Sequence, residues 1–442
     1  MARFAVVGAG WAGLSAALRL LADGHQCSVF EAAPQPGGRA RRVSWQCGDG
    51  TLAIDNGQHI LLGAYRETLE LLALAGVDAS QVLRRLPLCL TGRDWRLRAP
   101  PWPAPLHMLA ALAGARGFSW AERWALVRFM TALRRAGWRV PADCTVSALL
   151  ATHRQPEGVC RRLWRPLCLA ALNTPPEQAA AQVFCTVLRD SLGGARRASD
   201  LLLPAADLSA LLPDAAARRI AAAGQLRLST TVTGLREQVD GLVLELQDGS
   251  LSERHAGVVL ATPARAAARL LATLPDCGEL AARCGALTHQ SITTAWLRYP
   301  VAPGQQRLLA EPMVALDDDP RHGRHGQWAF DRMALCGQAG LIALPISAEG
   351  PHRALSPAAL CASLHAQLRD QAGLHAPLQA WRVLTEKRAT FACTPGLDRP
   401  GVLTPVAHLV LAGDWCASDY PATLESAVAS GRRAAAVLAA GA

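Results

Sequence analysis

The stretch Val6-Val7-Gly8-Ala9-Gly10-Trp11-Ala12-Gly13 constrains this chain more than any other. An apolar strand pattern, Phe4-Ala5-Val6-Val7, runs directly into three glycines spaced G-x-G-x-x-G, and an apolar helical pattern follows from Leu14 to Leu21. A tight strand-turn-helix satisfies that order. Gly8 permits the turn, Gly10 lets backbone amides approach a pyrophosphate, and Gly13 allows helix and strand to lie close together. The start of the helix then offers partial positive charge to phosphate. A second strand, Cys27-Ser28-Val29-Phe30, ends in Glu31, placed to accept the hydroxyls of a ribose. Strand, helix and acid in register predict a dinucleotide-binding unit.

Two further pieces indicate which dinucleotide. Gly37-Gly38-Arg39 follows Glu31 within a few residues, so backbone approaches the ligand there and Arg39 is placed to pair with phosphate. Far downstream, the apolar run Leu409 to Ala412 ends in Gly413-Asp414, and a helix pattern follows from about Thr423 to Ala440. Asp414 is suited to a ribityl hydroxyl, and the positive end of that helix to negative charge on a reduced isoalloxazine ring. A nicotinamide site has no need of this distant third piece, whereas a flavin adenine dinucleotide site does. FAD is the expected cofactor, held without a covalent bond, although Cys416 lies near the implied ring.

The nucleotide-binding unit is expected in three segments, residues 1–74, 226–285 and 386–442. The insertion 75–225 is rich in Ala, Leu, Arg and Pro and reads as helical. Ser119 and Glu122 within it have capping-box spacing for a helix ending near Gly137. The insertion 286–385 carries strand-like stretches, Ser291 to Leu297, Gln327 to Phe330 and Leu341 to Ile346.

Composition narrows the setting. The chain is 51% apolar, yet its longest apolar candidate, Leu106 to Ala115, is about half of the ~20 residues a membrane span needs. The strand at the very start leaves no room for a signal peptide, and thirteen scattered cysteines without a CxxC pair argue against disulfides or zinc, so a reducing cytoplasm is expected. The net charge of +10 is concentrated between Arg84 and Arg139, where eleven arginines face only Asp94 and Glu122 and where five of the twelve tryptophans lie. That pattern predicts peripheral docking on an anionic membrane. The other reading is an ordinary helical core of tryptophans under a solvated face of arginines.

With these motifs in place, the chain resembles the flavin amine oxidase and phytoene desaturase superfamily. Within it, it is most similar to the squalene-associated FAD enzymes of hopanoid biosynthesis, the hydroxysqualene dehydroxylase family. The closer match is carried by Leu52 to Tyr65 (LAIDNGQHILLGAY), Gln327 to Arg332 (QWAFDR), Glu386 to Gly396 (EKRATFACTPG) and Asp419 to Arg432 (DYPATLESAVASGR). The resemblance implies an α/β fold: an FAD-binding Rossmann-like domain of the GR2 type in discontinuous segments, an inserted α+β substrate domain and a helical membrane-facing region. It implies cofactor contacts at Gly8, Gly10, Gly13, Glu31, Gly38, Arg39, the backbone of Val232, Gly413, Asp414, Thr423 and Leu424, with Gln58 and His59 beside the flavin ring.

The implied reaction protonates an allylic alcohol on a thirty-carbon chain, expels water and quenches the allylic cation with hydride from reduced FAD. Candidate proton donors are His59 and Asp331, with Lys387 near the flavin. Each has a plainer reading: a hydrogen-bonded histidine, an arginine-paired carboxylate, a solvated strand end. The expected partners are a polyisoprenoid lipid, an anionic membrane surface and an external electron donor, with neither metal nor nucleic acid. Three rivals stand beside this reading. A polyprenyl desaturase would run the redox step the other way. An amine oxidase would need an aromatic cage from a chain whose only tyrosines are Tyr65, Tyr299 and Tyr420. A prenyl-binding escort protein would carry lipid without redox chemistry.

Overall fold

The computed structural model describes residues 1–48, 50–140 and 144–441. Strand Arg3–Val7 is the centre of a five-stranded parallel sheet, ordered Gln225–Arg227, Gln26–Phe30, Arg3–Val7, Gly257–Leu260, Leu409–Leu411. The inner strands Arg3–Val7 and Gly257–Leu260 are buried on both faces, which explains their continuous apolar runs in place of an alternation. Helices Trp11–Ala22 and Leu424–Ala440 cover one side and pack on each other. Their approach is close because Gly431 has no side chain: a Cβ there would collide with the Ala12 carbonyl oxygen. The Ser15 hydroxyl also donates to the Val428 carbonyl at 2.9 Å.

A second, antiparallel sheet is built from strands Met313–Ala315, Trp328–Asp331, Leu341–Ser347, His289–Arg298 and Ala380–Phe391. Alternation gives it two different faces. Ala295, Leu297, Leu344 and Ile346 pack under helix Pro357–Ala372 through Leu360, Leu364 and Leu368. Trp296, Met313, Ala315, Trp328 and Phe330 point the other way, into the core shared with the first insertion.

The helix expected after Ser119 spans Trp120–Arg135, and both halves of the Ser119–Glu122 capping box are formed. Two expectations need correction. The insertion 75–225 is not helical throughout: Leu83–Leu86 and Leu201–Pro204 pair antiparallel, and Cys89–Thr91 pairs with Arg96–Arg98. These are short leucine-rich runs, for which periodicity does not separate strand from helix. The boundary drawn between 385 and 386 falls inside one twelve-residue strand, Ala380–Phe391, so the antiparallel sheet runs on into the third segment.

Candidate functional site

The glycine turn is formed as its spacing demands. Gly8 has φ +104, and a Cβ there would sit 2.8 Å from the Ala261 carbonyl oxygen; a Cβ on Gly13 would collide with the Gly8 carbonyl oxygen. Gly10 is different, since the nearest atom to a Cβ there is the Gly38 Cα at 4.0 Å. Gly37 donates its N–H to the Ala9 carbonyl at 2.8 Å, so the second glycine pair lies against the first turn. Helix Trp11–Ala22 has no side-chain cap and no acid in its first turn. Its leading amides are therefore left for an anion, and the open side of Gly10 gives that anion room. These features fit a pyrophosphate.

Glu31 accepts from the Ala9 N–H at 2.6 Å and the Ala33 N–H at 2.8 Å. A carboxylate has about four acceptor sites, so capacity for a ribose remains. The backbone of Ser229 and Thr230 bonds to Ala33 and Glu31, which carries Val232, first residue of the hairpin strand Val232–Gln238, to the same edge.

Arg39 and Asp414 meet. The Arg39 guanidinium donates to Asp414 Oδ1 at 2.6 Å and to the Ala389 carbonyl. Burial works against its charge, but the Asp414 and Glu386 carboxylates outweigh that and hold its pKa above the ordinary value. The Gly413 N–H donates to Ser430 Oγ at 2.8 Å, seating this turn on the final helix. Thr423 caps that helix by accepting from Ser426 N–H at 3.1 Å, with Leu424 as its first residue. Cys416 is buried and its thiol is pushed up by desolvation, so it is held protonated and a poor candidate for covalent attachment.

The two proton-donor candidates, His59 and Asp331, and Lys387 lie in different settings. Asp331 is fully buried and accepts from the backbone N–H groups of Leu308, Leu309 and Ala334. It caps helix Arg332–Cys336 and anchors the loop at Leu308 and Leu309, so its oxygens serve as acceptors. His59 is half-buried, its Nδ1 2.9 Å from the Gly57 carbonyl, and desolvation, aided by the Arg39 charge, lowers its pKa. The neutral ring must then carry its proton on Nδ1, leaving Nε2 as an acceptor. Lys387 is exposed at a register shift of the Ala380–Phe391 strand, two residues from the carbonyl that Arg39 holds, and forms no ion pair among the described residues.

Gln58 is placed by a residue that sequence reasoning passed over. Arg332, fully buried, donates to Gln58 Oε1 at 3.2 Å and Gln338 Oε1 at 2.9 Å, and lies 3.4 Å from the Asp55 carboxylate, itself buried. Burial pushes the Asp55 pKa up to about 6 despite the pull of Arg332. The signal was a lone acid closing the apolar strand Leu52-Ala53-Ile54, which only a buried partner makes tolerable.

Comparison with known proteins accords with this geometry. Residues 11–439 match the family model described as flavin containing amine oxidoreductase. A hydroxysqualene dehydroxylase of Rhodopseudomonas palustris is 31% identical over 99% of this chain and 98% of its own length. One from Sinorhizobium fredii is 29% identical over 97% and 96%. A probable zeta-carotene desaturase of Synechococcus elongatus is 25% identical, covering 98% of each chain. Among solved structures, a redesigned putrescine oxidase aligns with TM-score 0.74 and 15% identity, covering 100% of this chain and 99% of that one. An oxidoreductase from Methanosarcina mazei aligns at 0.71 and 14%, covering 98% and 99%.

Proposed function

This chain belongs to the flavin-containing amine oxidoreductase family, among the hydroxysqualene dehydroxylases, and from that membership we propose that it reduces hydroxysqualene to squalene. It is an FAD-dependent oxidoreductase. In the proposed reaction the allylic C–O bond breaks as the hydroxyl takes a proton and leaves as water, and a hydride closes the cation, giving the hydrocarbon. FAD, when bound and reduced, supplies that hydride, and an external donor of two electrons restores it.

The chain's own residues divide the work. Gly8, Gly10, Gly13 and the first amides of helix Trp11–Ala22 would hold the pyrophosphate, Glu31 and the Val232 backbone the adenosine end, with Gly38 and Arg39 alongside. Gly413, Asp414 and the helix start at Thr423 and Leu424 would hold the flavin end, with Gln58 aligned by Arg332. His59, with Nε2 free to accept, would orient the substrate hydroxyl, and Lys387 would contact the flavin or a water beside it. The apolar sheet face excludes the water that would otherwise trap a cation.

The observation that carries this reading is that face. Trp296, Trp328 and Phe330 are buried in the same apolar core as the first insertion, which suits a hydrocarbon. One tyrosine agrees. Tyr299 lies behind the sheet, its hydroxyl 3.1 Å from His365 Nδ1, which sets it apart from that face. No helix among the described residues is long and apolar enough to cross a membrane. We place the enzyme at the cytoplasmic surface of one, drawing its polyisoprenoid from lipid. The test is anaerobic incubation of dithionite-reduced protein with hydroxysqualene. Squalene should form together with flavin reoxidation; oxidised protein that instead takes hydride from a polyprenyl hydrocarbon would make it a desaturase.

A further inference from the structure

Helix Leu106–Ala113 is apolar except for the buried His107, yet it is buried on one side only. His107, Met108, Ala111 and Leu112 face the core, whereas Leu106 and Leu109 are 53% and 42% exposed. A helix apolar all round belongs inside a protein or in lipid. Just before it, Trp102 is 53% exposed, and on the neighbouring helix Trp120–Arg135, Trp120 and Trp124 are 79% and 63% exposed, one turn apart. Three of the four exposed indoles among the described residues therefore fall between positions 102 and 124.

The charge around this patch is uncompensated. Among the described residues, only Arg85 and Arg96 of the eleven arginines from 84 to 139 have a carboxylate partner, Asp200 and Glu311. Arg93, Arg98, Arg116, Arg128, Arg134 and Arg135 are exposed. Arg123 lies 5.0 Å from the Trp120 ring and donates to the Ala113 carbonyl at 3.0 Å, tying the two helices into one surface.

We propose that this two-helix face seats on an anionic bilayer, with Leu106 and Leu109 among the acyl chains, the three indoles at the headgroup boundary and the arginines on lipid phosphates. The proposal rests on the reading of a membrane-borne substrate and names the surface that reaches it. A second copy of the chain is the poorer occupant, because a two-fold contact would set arginine against arginine. The inner face of the same helix leads onward: Met108 and Leu112 border a small apolar void with Leu90, Met130 and Leu163. They share one apolar core with Trp328 and Phe330 of the sheet.

The test uses the holoenzyme and its Trp102→Ser/Trp120→Ser/Trp124→Ser variant, whose exposed positions leave flavin content as the check of folding. Parent protein should co-sediment at least tenfold better with phosphatidylglycerol-containing vesicles than with pure phosphatidylcholine, and release at high salt. The variant should bind at least tenfold less. Its turnover of vesicle-borne hydroxysqualene should fall in parallel, while turnover of detergent-dispersed substrate stays at the parent's level. Equal binding by both proteins, indifference to lipid charge, or a lipid-free dimer that the triple variant dissolves would overturn the docking surface. Loss of detergent-phase turnover in the parent too would strike the proposed reaction, with sedimentation still deciding the docking.

Discussion

Arg39 and Asp414 stand 375 positions apart in the chain and meet at 2.6 Å. Their bond joins the first segment of the nucleotide-binding domain to the last, with the Ala389 carbonyl of the antiparallel sheet as a third point of attachment. Arg39→Ala and Asp414→Ala should each weaken FAD binding by roughly 1.5–3 kcal/mol, the worth of a charge-assisted bond. Because the two touch, the double variant should lose less than the sum. Flavin fluorescence titration of the three proteins measures both quantities, and parent-like affinity in both single variants would move the cofactor elsewhere.

The three glycines should separate in experiment. Gly13→Ala sets a Cβ against the Gly8 carbonyl oxygen, backbone against backbone, and should give little soluble protein. Gly10→Ala meets nothing closer than 4.0 Å and should fold normally, as circular dichroism would show. Its methyl would occupy the room assigned to the pyrophosphate, so the folded variant should purify without yellow colour.

Asp331 and His59 should fail in different ways. Asp331→Ala strips three backbone N–H groups of their partner and should cost about 3 kcal/mol or more, read as a lower melting temperature. Whatever folds should keep its flavin. His59→Ala should melt like the parent and bind FAD, but turn over more slowly; the acidic limb of its pH–rate profile should persist, since the neutral imidazole is not the acid.

Asp55 carries a pH signature. Its folded pKa, about 6, lies above that of an ordinary aspartate, so the folded state holds this proton more tightly than the unfolded state does. Its contribution to stability is therefore fully present below about pH 4 and is lost as pH rises through about 6. Relative to Asp55→Asn, which mimics the protonated form, the parent should lose at most about 3 kcal/mol across that window and then level off. Denaturant titrations from pH 4 to 7 give the difference curve; a flat one would mean that Arg332 fully compensates the charge.

Much of the nucleotide-binding half was legible because local chemistry dictates it. Gly8 and Gly13 occupy positions where any side chain collides, and Thr423 announces a helix start through its bond to Ser426, as Ser119 does in the first insertion. The role of Asp331 was not legible, since it is set by Leu308 and Leu309, which only the folded chain brings within reach. Arg332 was overlooked because its partner, Asp55, lies in another segment. The tryptophans of the first insertion divide: Trp95 is 4% exposed and packs edge-on against Phe118, while Trp102, Trp120 and Trp124 face outward. Composition alone carries both outcomes.

The parallel sheet draws its five strands from positions as distant as Arg3–Val7 and Leu409–Leu411. During synthesis this imposes an order of events. At roughly 5–20 residues per second, the ribosome takes about 20 seconds or longer to travel from the first strand to the last. Throughout that interval strand Gly257–Leu260, once made, has an open edge where Leu409–Leu411 will pair, and helix Trp11–Ala22 lacks the helix that will cover it. With the flavin end assigned to Gly413 and Asp414, a premature stop even shortly before residue 409 should yield a colourless, aggregation-prone fragment and not a weakened enzyme, as expression of a chain ending at residue 400 would show.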